Sequence, residues 1–238
     1  MKKRLDQLVA ARGLVPTRSQ AESFIRLGKV RVNGTILKKP GEMVSSEADI
    51  KLLAREQYVS RAGLKLESVA KSLRLNFKHK IVLDVGSSTG GFTDFALKNG
   101  AERVIAVDVG TDQLHPSLQG HPKIELHEQT DIREFTPVEQ LDIVVIDVSF
   151  ISLREILPHI AHISNPSTQI VAMCKPQFEA GDSTKHKGVI KNDRMRRDIL
   201  KDFETWLKQY FVTIDKADSE IAGSKGNRER FYLLKKLS

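Results

Sequence analysis

With 238 residues, of which 40% are hydrophobic and 29% charged, the chain has the composition of an ordinary globular protein. No window approaches the roughly 18 uninterrupted apolar residues that a membrane span requires, and one cysteine alone, Cys174, cannot form an internal disulfide. The basic N-terminal residues are followed by no apolar stretch of the kind that directs secretion, so we expect a cytoplasmic protein without a membrane partner.

The basic charge is concentrated at the start of the chain. Residues 1–40 hold ten lysines and arginines against two acidic side chains, which accounts for the whole net charge of +8. Release of counterions from phosphates drives such a segment towards nucleic acid, although a solvated helical surface would carry the same charges. We therefore predict a polyanion partner for this end of the chain.

The basic segment predicts two short helices and a β-hairpin. The first helix is expected to end at Gly13, and Thr17 begins a capping-box pattern for a second helix that ends at Gly28. Asn33-Gly34 between two runs of β-forming residues predicts a tight hairpin turn. Four basic side chains could share one exposed face on this layout, namely Arg18, Arg26, Lys29 and Arg31.

The stretch TRSQAESFIRLGKVRVNG resembles the S-four type RNA-binding domain, which is named after a ribosomal small-subunit protein. The resemblance covers about residues 3–50 and implies a module that binds structured RNA through shape and backbone contacts. A connector of mixed character follows at 53–58, where we expect a hinge between two domains, 1–58 and 59–238. The candidate RNA contacts are Arg4, Arg18, Arg26, Lys29 and Arg31.

From about residue 80 onward, buried strands alternate with helices, which predicts a mostly parallel sheet covered on both faces. Two further apolar runs near the C-terminus predict an antiparallel strand pair. The expected fold is therefore α/β, a Rossmann-like domain preceded by a small α+β module. The expected strands lie at 81–85, 104–109, 123–127, 141–147, 169–174, 211–214 and 231–234.

The turn DVGSSTGGF follows the first of these strands, where a helix N-terminus faces any bound ligand. Ser88 stands where the dinucleotide fingerprint needs its second glycine, which disfavours a nicotinamide-dependent dehydrogenase. The spacing resembles instead the Asp/Glu-x-Gly-x-x-x-Gly loop of methyltransferases, which cradles the methionine and ribose of S-adenosylmethionine.

Two further acids extend this candidate cofactor site. Asp108 ends the second strand, where it could accept hydrogen bonds from ribose hydroxyls, and Asp131 follows the third strand, where similar methyltransferases contact the adenine. Either acid alone could be an ordinary strand-end or capping residue. The candidate cofactor residues are Asp84, Gly86, Ser88, Gly90, Gly91, Asp108 and Asp131.

Four polar residues lie next to strand ends in the second domain. Lys65 precedes the first strand, and Glu229 precedes the last. Asp147 and Lys175 end two central strands, and ligands of parallel sheets bind outside such carboxyl ends. Taken singly, each of the four could equally belong to a surface ion pair.

The stretches SRAGLKL, DVGSSTGGF, VVIDVSFISL, CKPQFEAG and GNRER resemble, in this order, the TlyA family of ribosomal RNA methyltransferases, whose catalytic domain is similar to that of the FtsJ-type ribose methyltransferases. The resemblance covers essentially the whole chain. It implies a catalytic tetrad at Lys65, Asp147, Lys175 and Glu229. It also implies methyl transfer from S-adenosylmethionine to a ribose 2′-hydroxyl of ribosomal RNA, at a cytidine.

The tetrad suits removal of a proton from a poor nucleophile. A lysine can accept that proton only if its pKa falls, through burial or a nearby positive charge. We therefore hypothesise that Lys175 is the base and that Lys65 lowers its pKa, while Asp147 and Glu229 orient the two amines.

Three other interpretations stay open at this point. The methyltransferase domain could be inactive in a protein that binds RNA during ribosome assembly. The TlyA family also carries the name hemolysin, but we find no strongly amphipathic lytic helix. Cys174 beside Lys175 could form a covalent bond to a base, although a lone cysteine in an apolar strand more often fills space.

The seven histidines show no metal-ligand spacing, so we expect no metal site.

Overall fold

The computed structural model describes residues 1–53, 58–181, 188–190, 192–223 and 226–237. The first of these segments forms a small α+β module, and the others form an α/β domain. The hinge expected at 53–58 lies mostly outside the described residues.

The N-terminal module contains two helices and two small antiparallel sheets. One sheet joins β1 to β4, and the other has the order β3-β2-β5. The sequence predicted the helices and the β2–β3 hairpin but not β1, β4 and β5, whose few residues are too short to show a period. The elements are β1 (Lys2–Arg4), α1 (Leu5–Ala11), α2 (Arg18–Arg26), β2 (Val30–Val32), β3 (Thr35–Ile36), β4 (Met43–Ser45) and β5 (Ile50–Leu52).

Local chemistry accounts for the boundaries within this module. The Thr17 hydroxyl accepts a hydrogen bond from the Gln20 backbone N–H at 3.2 Å, as the capping pattern predicts. Asn33 and Gly34 have φ values of 46° and 83°, the left-handed pair of a type I′ turn. The predicted hairpin is therefore confirmed.

The second part of the chain forms one seven-stranded sheet with helices on both faces. The predicted strands are confirmed, although β11 continues beyond its apolar run because its polar second half still pairs with β12. The elements are α3 (Arg61–Ala70), β6 (Ile81–Val85), α4 (Gly91–Lys98), β7 (Arg103–Val107), β8 (Ile124–His127), the 3₁₀ helix η1 (Ile132–Glu134), β9 (Ile143–Ile146), α5 (Leu153–Ile163), β10 (Gln169–Cys174), α6 (Pro176–Glu179), α7 (Asp193–Leu207), β11 (Phe211–Asp218) and β12 (Arg230–Lys236).

The strand order across the sheet is β8-β7-β6-β9-β10-β12-β11, and β12 alone runs against the others. The order reverses direction between β6 and β9, so the loops that follow these two strands diverge and leave a crevice at the carboxyl edge. Because β12 is antiparallel, its amino end lies at that same edge. The fold therefore brings residues from both strand directions to one place.

The core forms two apolar layers, one on each face of the sheet. Helices α5 and α7 cover one layer, with Leu157 and Phe203 fully buried. Helices α3 and α4 cover the other, which continues into the N-terminal module through Tyr58, whose ring lies 5.5 Å from that of Phe95. The module therefore shares part of its core with the α/β domain.

Candidate functional site

Sheet register brings three of the four predicted tetrad residues to one edge. Cys174 pairs with Arg230 across the antiparallel β10–β12 ladder, so the next step of the register sets Lys175 opposite Glu229. Asp147 follows β9, the neighbour of β10 on its other side. The fourth residue, Lys65, reaches this edge from helix α3.

The four side chains form two ion pairs, in which three side chains are buried and Asp147 is partly exposed. Lys65 Nζ lies 2.6 Å from Glu229 Oε2, and Lys175 Nζ lies 2.5 Å from Asp147 Oδ1. The Lys175 amine also donates to the Ser149 hydroxyl at 2.7 Å. Each lysine therefore has its own carboxylate partner, while the roles of Lys175 as the base and of Lys65 in lowering its pKa stay a hypothesis. Ser149 is a further contact that the sequence alone did not single out.

Two adjoining cavities lie beside these pairs. The larger, of about 490 Å³, is bounded by the loops after β6, β7, β8 and β9. The smaller, of about 150 Å³, extends from the Gly-rich turn to Lys175. Both are lined by Gly86, Ser88, Asp147 and Ser149. A ligand that fills both would therefore present one end to the Lys175–Asp147 pair.

The Gly-rich turn depends on glycine where the backbone passes close to its neighbours. Gly86 has a φ of 78°, and a Cβ there would lie 2.9 Å from the Asp147 carbonyl oxygen. A Cβ on Gly91 would lie 2.7 Å from that of Ala62 in α3, and one on Gly90 would meet Leu118. These glycines therefore let the loops after β6 and β9 and helix α3 approach one another around the smaller cavity.

Asp84 lies at the end of β6 and is fully buried. Burial raises the pKa of its carboxyl to about 7, although Thr93 Oγ1 donates a hydrogen bond to it at 2.6 Å. Its second oxygen, Oδ1, and the buried Ser87 hydroxyl have no hydrogen-bond partner. Asp84 and Ser87 both line the smaller cavity, so this wall suits a ligand that carries a positive charge and hydrogen-bonding groups.

We expect Asp84 to make the protein less stable as the pH rises from about 4 to about 7. In this window the unfolded chain loses the Asp84 proton, whereas the folded chain keeps it until about pH 7. The unfolding free energy should therefore fall by up to about 1.4 kcal/mol per pH unit. Urea unfolding at pH 5 and pH 7.5 should show a smaller decline for Asp84→Asn than for the wild type. Parallel pH profiles would contradict this assignment.

The two other predicted acids line the larger cavity but differ in their contacts. Asp108 accepts from the backbone N–H groups of Ser88 at 2.8 Å and Gly110 at 2.7 Å, so it shapes the turn it faces. Asp131 caps η1 and accepts from the Arg133 side chain, whose hydrogen bonds hold the pKa of Asp131 below its usual range. Its carboxylate is thus already engaged, and Arg133 was not predicted.

The five candidate RNA contacts occupy three different environments. Arg4 and Arg18 both donate to buried Asp6, at 2.8 and 2.9 Å, while their side chains stay partly exposed. Arg26 and Arg31 are exposed. Lys29 departs from the expected common face, because it is half-buried and lies 2.5 Å from Glu67 of α3.

Cys174 is fully buried, and burial raises the pKa of its thiol well above the usual value. Nucleophilic attack needs the thiolate, so this environment opposes the covalent alternative. Among the described residues, no cluster of three or more His, Cys, Asp or Glu side chains could hold a metal ion. No described helix has the length and apolar character needed to cross a bilayer.

Comparison with known families divides the chain into two parts. The S4 domain family matches residues 3–50, and the FtsJ-like methyltransferase family matches residues 58–236. These matches confirm the RNA-binding module and the methyltransferase fold that the sequence predicted.

Individual relatives extend over most of the chain. The 23S rRNA (cytidine-2′-O)-methyltransferase TlyA of Campylobacter jejuni is 43% identical over 76% of this chain and 72% of its own. Hemolysin A of Brachyspira hyodysenteriae is 38% identical over 95% of this chain and 97% of its own. A solved structure described as a candidate hemolysin from Streptococcus thermophilus is 38% identical and covers 100% of this chain and 89% of its own, with a TM-score of 0.73.

A Gly-rich turn and two lysine–carboxylate pairs meet at this edge of the sheet. The chain belongs to the FtsJ-like methyltransferase family and carries an S4 domain on its N-terminal side.

Proposed function

We propose that this protein transfers a methyl group from S-adenosylmethionine to the 2′-hydroxyl of a cytidine in ribosomal RNA. The observation that carries the proposal is the ion pair between buried Lys175 and Asp147 at the end of the two adjoining cavities. The name of the Campylobacter jejuni relative supports the substrate. The proposal includes the division of the chain into an RNA-binding module, 1–58, and a catalytic domain, 59–238.

The residues that line the cavities suit this cofactor. S-adenosylmethionine supplies a methyl group on a positively charged sulfur. Asp84 and Ser87 offer unpartnered oxygen atoms in the smaller cavity, which suit the amino end of the methionine moiety, and Gly86 leaves room for a close approach. Asp108 lies where strand β7 ends, in reach of ribose hydroxyls. In this proposal, Asp131 orients Arg133 at the cavity wall and contacts the adenine less directly than the sequence predicted.

Lys175 is proposed to receive the 2′-hydroxyl proton. Only a neutral amine can accept a proton, so in this proposal Lys175 loses its own proton before the transfer, and Asp147, whose Oδ1 lies 2.5 Å from Nζ, orients the amine. S-adenosylmethionine, when bound, would supply the methyl group from its sulfonium to the ribose oxygen, and the proton that this oxygen gives up would move to the Lys175 amine. Ser149 holds that amine in place. The Lys65–Glu229 pair fixes the adjoining part of the same sheet edge.

An aromatic side chain at the cavity mouth supports a nucleotide as the acceptor. Phe150 is 92% exposed and has a φ of 68°, a left-handed conformation that is strained for a bulky residue. Its ring lies 5.5 Å from that of Phe178 in α6, the short helix that begins directly after Lys175. An exposed ring in a strained loop beside the proposed base is a suitable surface on which an unstacked nucleobase can lie.

We expect Phe150→Gly to have opposite effects on stability and activity. Glycine relieves the left-handed strain, so the unfolding free energy should rise by about 1 kcal/mol. Loss of base stacking, worth about 1–3 kcal/mol, should weaken RNA methylation by roughly fivefold to 150-fold. Phe150→Tyr keeps the ring and serves as the control, which should retain most activity. Equal activity of the glycine and tyrosine variants would remove Phe150 from the proposal.

The N-terminal module supplies a surface for the RNA backbone. Exposed Arg26 and Arg31, together with half-exposed Arg4 and Arg18, present positive charge on a small domain. The buried Asp6 carboxylate fixes the positions of Arg4 and Arg18 and leaves part of each guanidinium free for phosphate oxygen atoms. Such contacts bind RNA without reading its sequence, so we expect the choice of nucleotide to depend on the catalytic domain.

A methyl-transfer assay with ribosomal subunits tests the proposed function. We expect label from S-adenosylmethionine to enter the RNA of purified small or large subunits. Alkaline cleavage should then be blocked at the modified residue, because a methylated 2′-oxygen cannot attack the adjacent phosphodiester. Binding of both cofactor and RNA without label transfer would favour an inactive methyltransferase domain in a ribosome-assembly protein.

A further inference from the structure

Helix α3 contacts the RNA-binding module and the proposed catalytic edge at the same time. At its N-terminus, Arg61 Nη1 donates to the Ser19 hydroxyl of α2 at 2.6 Å, and Nη2 donates to the Ala222 carbonyl at 2.5 Å. One helical turn later, Lys65 pairs with Glu229. Farther along, Glu67 pairs with Lys29 of the module.

The backbone next to Ala222 lies against Glu229. Ala222 precedes Gly223, where a Cβ would lie 2.7 Å from Glu229 Oε1. The Ser219 N–H donates to the Glu229 carbonyl at 3.0 Å, and the Gly223 N–H donates to the Asn227 carbonyl at 2.8 Å. The backbone that Arg61 holds therefore forms one wall around the Glu229 carboxylate.

The guanidinium is suited to connect two separate partners. The N–H groups of the Arg61 guanidinium are fixed in one plane. An acceptor bound to one N–H group therefore has a defined position relative to an acceptor bound to another. Ser19 lies in the first turn of α2, next to the candidate RNA contact Arg18. A shift of this turn on RNA binding would therefore act on Arg61, and through Arg61 on the wall beside Glu229.

We propose that Arg61 is a positioning residue that couples RNA docking on the N-terminal module to the order of the Lys65–Glu229 pair. RNA bound to the module stabilises the Ser19–Arg61–Ala222 connection and thereby the arrangement that supports methyl transfer. This inference rests on the proposed function and adds a route by which the two domains act together.

The variant that tests it most cleanly is Ser19→Ala, which removes the hydroxyl without touching Arg61 or the tetrad. Alanine favours helix, so α2 should stay folded. We expect kcat for RNA methylation to fall about tenfold, the loss of one charge-assisted hydrogen bond, while KM for RNA stays within about twofold. Ser19→Thr keeps a hydroxyl and should restore kcat. Gln7→Ala, at an exposed position of α1, is the matched control and should behave as wild type.

A double-mutant cycle and hydrogen exchange separate coupling from general destabilisation. Arg61→Lys and Ser19→Ala should be non-additive in kcat, because both break the same connection. In the wild type, a ribosomal RNA fragment should slow exchange of the Gly223 amide, and in Ser19→Ala it should not. Additive effects, an unchanged kcat in Ser19→Ala, or equal protection of Gly223 in both proteins would overturn the coupling. A wild type that binds RNA but transfers no methyl group would overturn the proposed function, and the exchange experiment would still decide the coupling.

Discussion

Lys175→Ala is expected to lower the rate of methyl transfer to RNA by about 10²–10⁴-fold, the usual contribution of a positioned proton acceptor. The amine contacts Asp147 and Ser149, and it lies at the end of the smaller cavity. Its removal takes away the group that we propose receives the 2′-hydroxyl proton. The residues that we propose hold the cofactor, Asp84, Ser87 and Asp108, stay in place.

Cofactor and RNA binding distinguish this effect from misfolding. The dissociation constant for S-adenosylmethionine, measured by calorimetry, should stay within a few-fold of the wild-type value, and RNA affinity should not change. Lys201→Ala removes an exposed lysine from α7 and serves as the matched control, with full activity expected. Methylation by Lys175→Ala at the wild-type rate would exclude Lys175 as the proton acceptor.

Lys65→Met is expected to reduce both stability and activity. Its partner Glu229 is 3% exposed, and a buried charge left without its partner costs about 3–5 kcal/mol. The same change at Lys80 removes a pair with Asp142 whose side chains are 40% and 34% exposed. Such an exposed pair contributes at most about 1 kcal/mol, so Lys80→Met is the matched control for unfolding in urea.

The double variant Lys65→Met/Glu229→Gln separates the two effects. Neutralising Glu229 removes the unpaired charge, so most of the lost unfolding free energy should return. Methyl transfer should stay low, because neither side chain can then order the edge opposite Lys175. Recovery of activity together with stability would mean that the pair serves the fold alone. A loss of less than about 1 kcal/mol in the single variant would contradict the buried environment.

The sequence was sufficient to predict the strand ends on which the site is built. Apolar runs located β6, β9 and β10, and Asp147 and Lys175 fall at carboxyl ends, where ligands of parallel sheets bind. The family resemblance was still needed to assign these two residues to a catalytic site. Glu229 was harder to derive, because its place at the same edge depends on β12 running antiparallel. Family motifs supplied that residue, and the register explains it.

Pairing between side chains could not be predicted in the same way. The sequence does not show that Lys65 is matched with Glu229 and Lys175 with Asp147, since this depends on how α3 crosses the sheet. The pairing of Lys29 with Glu67 likewise arises from packing between the module and α3. Both contacts join residues that are distant along the chain, so local patterns carry no signal for them.

Two features of the site, one in the backbone and one in the burial of a side chain, cannot be seen from residue types alone. Phe150 is unremarkable as a phenylalanine, and only its positive φ and exposure mark it as a candidate contact for a base. Asp84 resembles any acid at a strand end, whereas its unpartnered buried oxygen points to a ligand.

The position of the transferred methyl group tests the central claim most directly. Ribosomal RNA methylated by the wild-type protein should be digested to nucleosides and analysed by mass spectrometry, with Lys175→Ala treated in parallel. We predict 2′-O-methylcytidine in the wild-type sample and none above background with Lys175→Ala. A methyl group on the base, or equal amounts of 2′-O-methylcytidine with both proteins, would contradict ribose methylation at the Lys175–Asp147 pair.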